Sequence, residues 1–259
     1  MANYFKVSVI GSGHLAWHLA QALENAGHFI PEVYSRNPKN AQKLTAKMYD
    51  TEVKKSLDFA NSESEIFIVA IADQAIGNLV ADLRLPEGTI LVHTSGSLPM
   101  AILEPASRRH GVFYPLQTFT KYADLNFKSI PICLEASSSK VEKILVQLAT
   151  SLGGEVHHLR SNERRHLHLA AVFACNFTNH MLTLSNEILE SQDVDVEILQ
   201  PLIAETINKG FQIGPGEAQT GPARRGDLGI MKEHLKMLKN RKDLQKVYKL
   251  LSQHISDYY

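Results

Sequence analysis

The chain has 259 residues, 44% of them hydrophobic, which suits one large domain or two modest ones with substantial cores. Lys plus Arg and Asp plus Glu each number 27, so the net charge is zero with His neutral, and no overall field draws the chain to nucleic acid. No apolar run approaches membrane-spanning length, and the opening Met-Ala-Asn-Tyr-Phe-Lys lacks the apolar core of a signal peptide. The two cysteines, Cys133 and Cys175, make no metal spacing. Buried free thiols in a reducing, cytoplasmic compartment are expected rather than a disulfide, with no metal site, no nucleic-acid partner and no membrane.

Lys6–Ile10 reads as a short buried strand closed by Gly11, and Leu15, Leu19 and Leu23 then recur at helical spacing. Ile30–Ser35 is a second strand, followed by a polar helix Pro38–Met48 with Asn37 as its cap. Ile66–Ala72 is a central strand, and Asp73 is expected to cap a helix Gln74–Leu83. Strands follow at Thr89–Thr94 and Gly111–Leu116, with a short helix Leu98–Leu103 between them. Ile130–Glu135, helix Lys140–Leu152 and Glu155–Leu159 complete the alternation. The pattern predicts α/β architecture: a doubly wound parallel sheet over residues 1–160.

Beyond Leu159 no strand is expected. Helices are predicted at Asn162–Ser191, Asp195–Phe211, Ile230–Lys239 and Lys242–Ile255, making residues 161–259 an all-α C-terminal domain. The stretch Gly210–Gly229, with six glycines and two prolines, reads as a long loop. Lysines between Lys232 and Lys249 fall opposite a helical stripe of leucines and read as a solvated face.

The strand-to-helix junction Gly11-Ser12-Gly13-His14-Leu15-Ala16 points to a dinucleotide. Gly11 permits the tight turn, Gly13 lets the backbone approach a pyrophosphate, and the helix N-terminus offers free amides. An NAD site would place a carboxylate at the end of the second strand. Here the strand ends in Ser35-Arg36-Asn37, all donors, which favours the 2′-phosphate of NADP. Ligands sit beyond the carboxyl ends of such strands, so Ala70-Ile71-Ala72-Asp73-Gln74 and His93-Thr94-Ser95-Gly96-Ser97 are expected near the ribose and nicotinamide of the same cofactor. A Gly-rich turn without a ligand, and Thr94 and Ser95 as mere helix caps, are the bland alternatives.

These motifs, with Tyr114-Pro-Leu-Gln-Thr-Phe119, His168–Asn176 and Thr220-Gly-Pro-Ala-Arg-Arg-Gly-Asp227, resemble a family of Rossmann-like NADP oxidoreductases that carry a helical C-terminal domain of unknown function. The wider superfamily includes pyrroline-5-carboxylate reductase and 6-phosphogluconate dehydrogenase. The resemblance covers essentially the whole chain. It implies an N-terminal Rossmann domain, a reductase or dehydrogenase activity, and a homodimer built by the helical domain. Two departures stand out. Related proteins often have His where this chain has Tyr114, and the catalytic lysine of hydroxyacid dehydrogenases falls on Val172 if Asn176 matches their asparagine.

Reduction of C=O or C=N needs a proton donor beside the nicotinamide. His168 and Asn176 on the first long helix, and Tyr114 at a strand end, are the candidates. Arg225 is expected to clamp an anionic substrate, assisted by Arg224 and oriented by Asp227. On an unbroken helix His168, Val172, Cys175 and Asn179 share a face. The leading expectation is an NADP-dependent oxidoreductase acting on a small carbonyl or imine at an interdomain cleft. The alternatives are a dinucleotide-binding regulatory module without turnover, and hydride exchange with a deazaflavin.

Overall fold

The computed structural model describes residues 4–259; the first three, on which part of the N-terminal expectation rests, lie outside the described residues. The chain divides into two compact units, with the division between Cys175 and Asn176. The last strand ends earlier, at His158, and the first of the C-terminal helices begins at Ser161.

The first unit is built on one eight-stranded sheet. Its strands are β1 (Val7–Ile10), β2 (Glu32–Tyr34), β3 (Glu52–Lys54), β4 (Ile66–Val69), β5 (Ile90–His93), β6 (His110–Pro115), β7 (Ile132–Ala136) and β8 (Val156–His158). Their order is β3-β2-β1-β4-β5-β6-β7-β8. The chain steps outward from β1 to β3, then returns to the other side of β1, which creates a switch point between β1 and β4. The central strands β1, β4 and β5 are buried along their whole length because helices cover both faces. Ile66 and Ile68 pack with Leu19 and Leu23 of α1 (His14–Asn25) and with Leu145 and Leu148 of α4 (Ser139–Ser151). Phe67 and Val69 point the other way, against Ile76 and Leu79 of α3 (Asp73–Asp82).

The sheet is not wholly parallel. β7 runs antiparallel to β6 and β8 follows β7, so the last two strands oppose the other six. The reason lies in the connection: no crossover helix separates Leu116 from Ile130, and parallel neighbours require one. Strand β3, missed in the sequence, is a three-residue edge strand without an apolar run. Asn37 caps α2 (Pro38–Thr45) through Lys39 N–H as expected. Asp73 does not cap α3; it is the helix's first residue, and its carboxylate accepts from Ser97 Oγ instead.

In place of one helix over Asn162–Ser191, α5 (Ser161–Ala171) passes into a π-helical segment, Val172–Phe177, before α6 (Thr178–Glu190). Each residue inserted into a 3.6-residue repeat rotates the downstream face by about 100°. The shared face expected from His168 to Asn179 therefore does not carry through. Beyond α6 the second unit continues with a 3-10 turn (Val196–Leu199), α7 (Gln200–Ile213), the single turn α8 (Pro215–Ala218), α9 (Leu228–Met237) and α10 (Lys242–Tyr258). The predicted loop from Gly210 thus begins four residues later and holds a helical turn. Cys133 is buried and Cys175 exposed; both are free, so the expected burial fails for Cys175. Among the described residues no helix is long and apolar enough to cross a membrane.

Candidate functional site

One register row crosses the sheet at its carboxyl edge: Tyr34, Ile10, Val69, His93 and Val112 on β2, β1, β4, β5 and β6. At about 4.8 Å per strand this row spans roughly 19 Å. The residues just past it form the rim. Above the switch point the rim opens into a cavity of about 670 Å³, lined by Gly11–Leu15, Tyr34–Asn37, Ala70–Ala72 and Thr94. All of these except Tyr34 are sequence-predicted contacts. Asn40 of α2, Leu57, and Ala75, Asn78, Leu79 and Asp82 of α3 complete the wall and were not foreseen. Nothing local in the sequence marks them, because only the packing of α2 and α3 brings those faces to the rim.

The two glycines of the first turn have different reasons. Gly11 has φ +138°, and a Cβ there would lie 2.0 Å from the Ala70 carbonyl oxygen, so the fold itself demands glycine. Gly13 has φ −71°, which any residue adopts, and a Cβ would meet nothing within 4 Å. No packing or backbone constraint inside the protein calls for glycine at 13. The space is kept open in front of the α1 N-terminus, which has no side-chain cap and presents its amides outward. That arrangement fits the pyrophosphate of a dinucleotide. Ser12 Oγ hydrogen-bonds Ser35 Oγ at 2.7 Å and ties this turn to the end of β2, where Arg36 and Asn37 are exposed. Glu32 is held away from the rim by Lys54 Nζ at 3.0 Å and by Ser8 and Ser62.

His93 and Ser95 lie outside the cavity lining. His93 is buried; its Nδ1 accepts from Ser95 N–H at 3.1 Å and its Nε2 faces the Pro99 carbonyl at 3.4 Å. Burial, with Arg164 nearby, pushes its pKa down to about 4, so it stays neutral and shapes the 94–99 turn. Ser95 Oγ accepts from Ser97 and Leu98 N–H and organises the same turn. Neither Thr94 nor Ser95 caps the short helix expected at Leu98–Leu103: it is a 3-10 turn, Met100–Leu103, that begins after Pro99 without a side-chain cap.

Farther along the rim, at the end of β6, the Tyr114 hydroxyl lies 3.1 Å from His168 Nδ1 on α5, with the rings edge-to-face at 72°. Burial, and secondarily Cys133, raises the Tyr114 pKa to about 12, which keeps the phenol protonated. Gly96, in the stretch expected near the nicotinamide, sits against this pair: a Cβ there would lie 2.7 Å from His168 Nδ1 and 2.9 Å from Tyr114 Cζ. Arg164, one turn before His168 and fully buried, was missed in the sequence, since an arginine in Asn-Glu-Arg-Arg-His reads as surface. Its Nε donates to the Ser95 carbonyl at 3.2 Å, and its terminal nitrogens reach Leu98 O and Glu135. Histidines of α1 hold the segment after β6: His14 Nδ1 lies 3.1 Å from Phe119 O, and His18 Nε2 lies 2.8 Å from Thr120 O.

In the second unit, Asn176 belongs to the π segment and is exposed, as is Arg225. Two expectations for the 220–227 loop are overturned. Asp227 orients no arginine; its carboxylate caps α9 through Ile230 N–H at 3.1 Å. Arg224 donates to the Tyr259 carbonyl at 2.6 Å and stacks over the Tyr259 ring. No cluster of three or more His, Cys, Asp or Glu able to hold a metal ion occurs among the described residues.

Residues 2–118 match the model of a Rossmann-like domain, and residues 130–255 that of a domain of unknown function, DUF2520. Among solved structures, a "putative NADP oxidoreductase" from Bacteroides fragilis is 39% identical, with 98% of each chain covered and a TM-score of 0.89. The chain belongs to this family of Rossmann-like proteins with a DUF2520 domain. A Thermotoga maritima protein is similar at 21% identity, with 97% of each chain covered and a TM-score of 0.68. The fold of the family is also shared by a reductive aminase from Aspergillus terreus, solved with NADPH and ethyl levulinate. That likeness is 14% identity over 98% of this chain and 95% of the other, with a TM-score of 0.73. None of the curated proteins matches the sequence.

Proposed function

We propose that the protein is an NADP-dependent oxidoreductase that reduces a small, anionic carbonyl or imine compound. The observation that carries this reading is the Tyr114–His168 pair, set against Gly96 on the same sheet edge as the open space at Gly13. The family relative described as an NADP oxidoreductase and the fold shared with a reductive aminase support it.

In this reading the backbone amides of Ser12 to Leu15 hold the pyrophosphate, and Ser35, Arg36 and Asn37 bind the 2′-phosphate. Ala70–Ala72 and Thr94 line the path toward the nicotinamide end. NADPH, when bound, supplies the hydride to the substrate carbon. Tyr114 holds the proton for the substrate oxygen or nitrogen on its hydroxyl, and His168 Nδ1 receives or returns a proton at 3.1 Å. Asn176 and Arg225 are proposed substrate contacts, Arg225 for a carboxylate.

A cytoplasmic location and a homodimer belong to the same proposal. The first rests on two cysteines that stay free. The second rests on the helical unit, where Ile198, Leu202, Phe211 and Leu250 are more than three-fifths exposed while Ala223 and Leu244 are its buried apolar residues. Light scattering that finds a monomer at micromolar concentration would remove the second.

The decisive experiment titrates NADPH and NADH, then follows NADPH oxidation with 2-methyl-1-pyrroline, its carboxylated analogue and pyruvate. Tight NADPH binding is expected, with turnover that Tyr114→Phe and His168→Ala lower by about 10²-fold or more and with the carboxylated probe preferred. Tight binding without turnover of any probe leaves a dinucleotide-binding module in place of an enzyme.

A further inference from the structure

Among the described residues Arg164 is the largest fully buried side chain, and it is charged. Its guanidinium reaches four acceptors: the Ser95 carbonyl at 3.2 Å, the Leu98 carbonyl, Glu135 Oε2, and Ser161 Oγ at 3.4 Å. Ser161 Oγ in turn donates to Glu135 Oε2 at 2.7 Å and accepts from Met100 N–H at 3.0 Å. One residue thus ties α5 to both ends of the 95–98 turn and to β7. A buried ion pair is weak evidence for stability, since apolar residues of similar volume often do as well. What this one supplies is direction. The guanidinium is a planar fork that fixes two carbonyls and a carboxylate at once, which an ammonium on a flexible stem does not.

The direction matters one turn later. Residues 164 and 168 share a face of α5. The turn that Arg164 holds carries Gly96, and at Gly96 the clearance to His168 and Tyr114 is less than a methyl group. A slip of α5 along the turn by a fraction of an ångström would change the Tyr114–His168 hydrogen bond. We propose that Arg164, locked by Glu135, is a positioning residue that sets His168 against Tyr114 through the 95–98 turn. The inference rests on Tyr114 and His168 as the proton-donating pair, and its test separates the two.

The full chain, saturated with NADPH and labelled at histidine nitrogens, is compared by NMR as wild type, Arg164→Lys, Glu135→Gln and Tyr114→Phe, with His168 assigned by His168→Gln. Arg164→Lys is expected to move the His168 imidazole resonances toward those of Tyr114→Phe. It should lower kcat on the best probe at least tenfold while the Kd for NADPH changes less than twofold. Glu135→Gln keeps an acceptor and should shift them in the same direction by less, which keeps the test decisive if the lysine variant does not fold. His168 resonances at their wild-type positions in the folded variants, with only a lower melting temperature, would overturn the proposal and leave Arg164 an anchor of α5. If Tyr114→Phe turns over normally, the catalytic reading fails, and the resonances still decide whether Arg164 sets the pair.

Discussion

Gly13→Ala should separate binding from folding, and the structure gives the size of each effect. Two terms act on stability. Restricting the unfolded chain by replacing glycine stabilises by about 0.4–1 kcal/mol where the backbone suits alanine, as φ −71° does. Alanine is the poorer residue at a helix N-cap by roughly 0.5 kcal/mol. With nothing within 4 Å of the new Cβ, no clash enters. The terms nearly cancel, so the melting temperature should stay within about 2 °C of wild type. NADPH, in contrast, must give up the approach that the empty position allows. Loss of one charge-assisted hydrogen bond from the α1 amides, at about 1.5–3 kcal/mol, weakens binding by roughly 10- to 150-fold. Gly11→Ala is the control: a Cβ 2.0 Å from Ala70 O at φ +138° should cost about 3 kcal/mol or more in stability. Differential scanning fluorimetry and fluorescence titration with NADPH read both. A Gly13→Ala protein that melts well below wild type, or that binds NADPH unchanged, refutes the reasoning.

Arg36→Ala should raise the Kd for NADPH by about 10–100-fold and leave that for NADH within twofold, because only the 2′-phosphate meets the guanidinium; equal losses for both would place Arg36 elsewhere. Tyr114→Phe should lower kcat by about 10²–10³ with the NADPH Kd unchanged. In the ultraviolet titration, Tyr114 should ionise only near pH 12, so a transition near 10 lost in Tyr114→Phe would contradict its buried, protonated state. His93 makes stability depend on pH in acid. Its folded pKa is lowered from 6.5 to about 4, so between these values the unfolded chain binds the extra proton and stability rises with pH. The contribution is fully present above pH 6.5 and is lost as pH falls through 4, on the order of 3 kcal/mol in total. Urea unfolding from pH 7 to 4 should show this slope, and His93→Gln should flatten it.

Much of the first unit was legible because its signals are local. Buried parallel strands read as apolar runs, and a Gly-x-Gly turn between strand and helix reads as such at any position. The antiparallel seam was legible in principle too, since the chain offers no helix between Leu116 and Ile130. The π segment was not: Val172–Phe177 carries no Gly or Pro to mark a break, and an i→i+5 register leaves no compositional mark. His93 misled for a related reason. A histidine at the rim of a Rossmann sheet has the right address for a cofactor, but burial and the 94–99 turn gave both ring nitrogens partners within the protein, Ser95 N–H and the Pro99 carbonyl.

Legible along the chain were the features on which the proposed cofactor site rests: a tight turn at Gly11, a second glycine at 13, and donors in place of a carboxylate at Ser35–Asn37. These follow from chirality, helix-end amides and charge, all properties of a few consecutive residues. The pairing of Tyr114 with His168 came from tertiary structure alone. Tyr114 and His168 are 54 residues apart and meet only because β6 and α5 end at the same edge. Gly96 leaves them room, and a buried arginine that reads as surface in the sequence fixes the turn between them. Proton donation depends on distances of about 3 Å between side chains on different elements, and no pattern along the chain encodes such a distance.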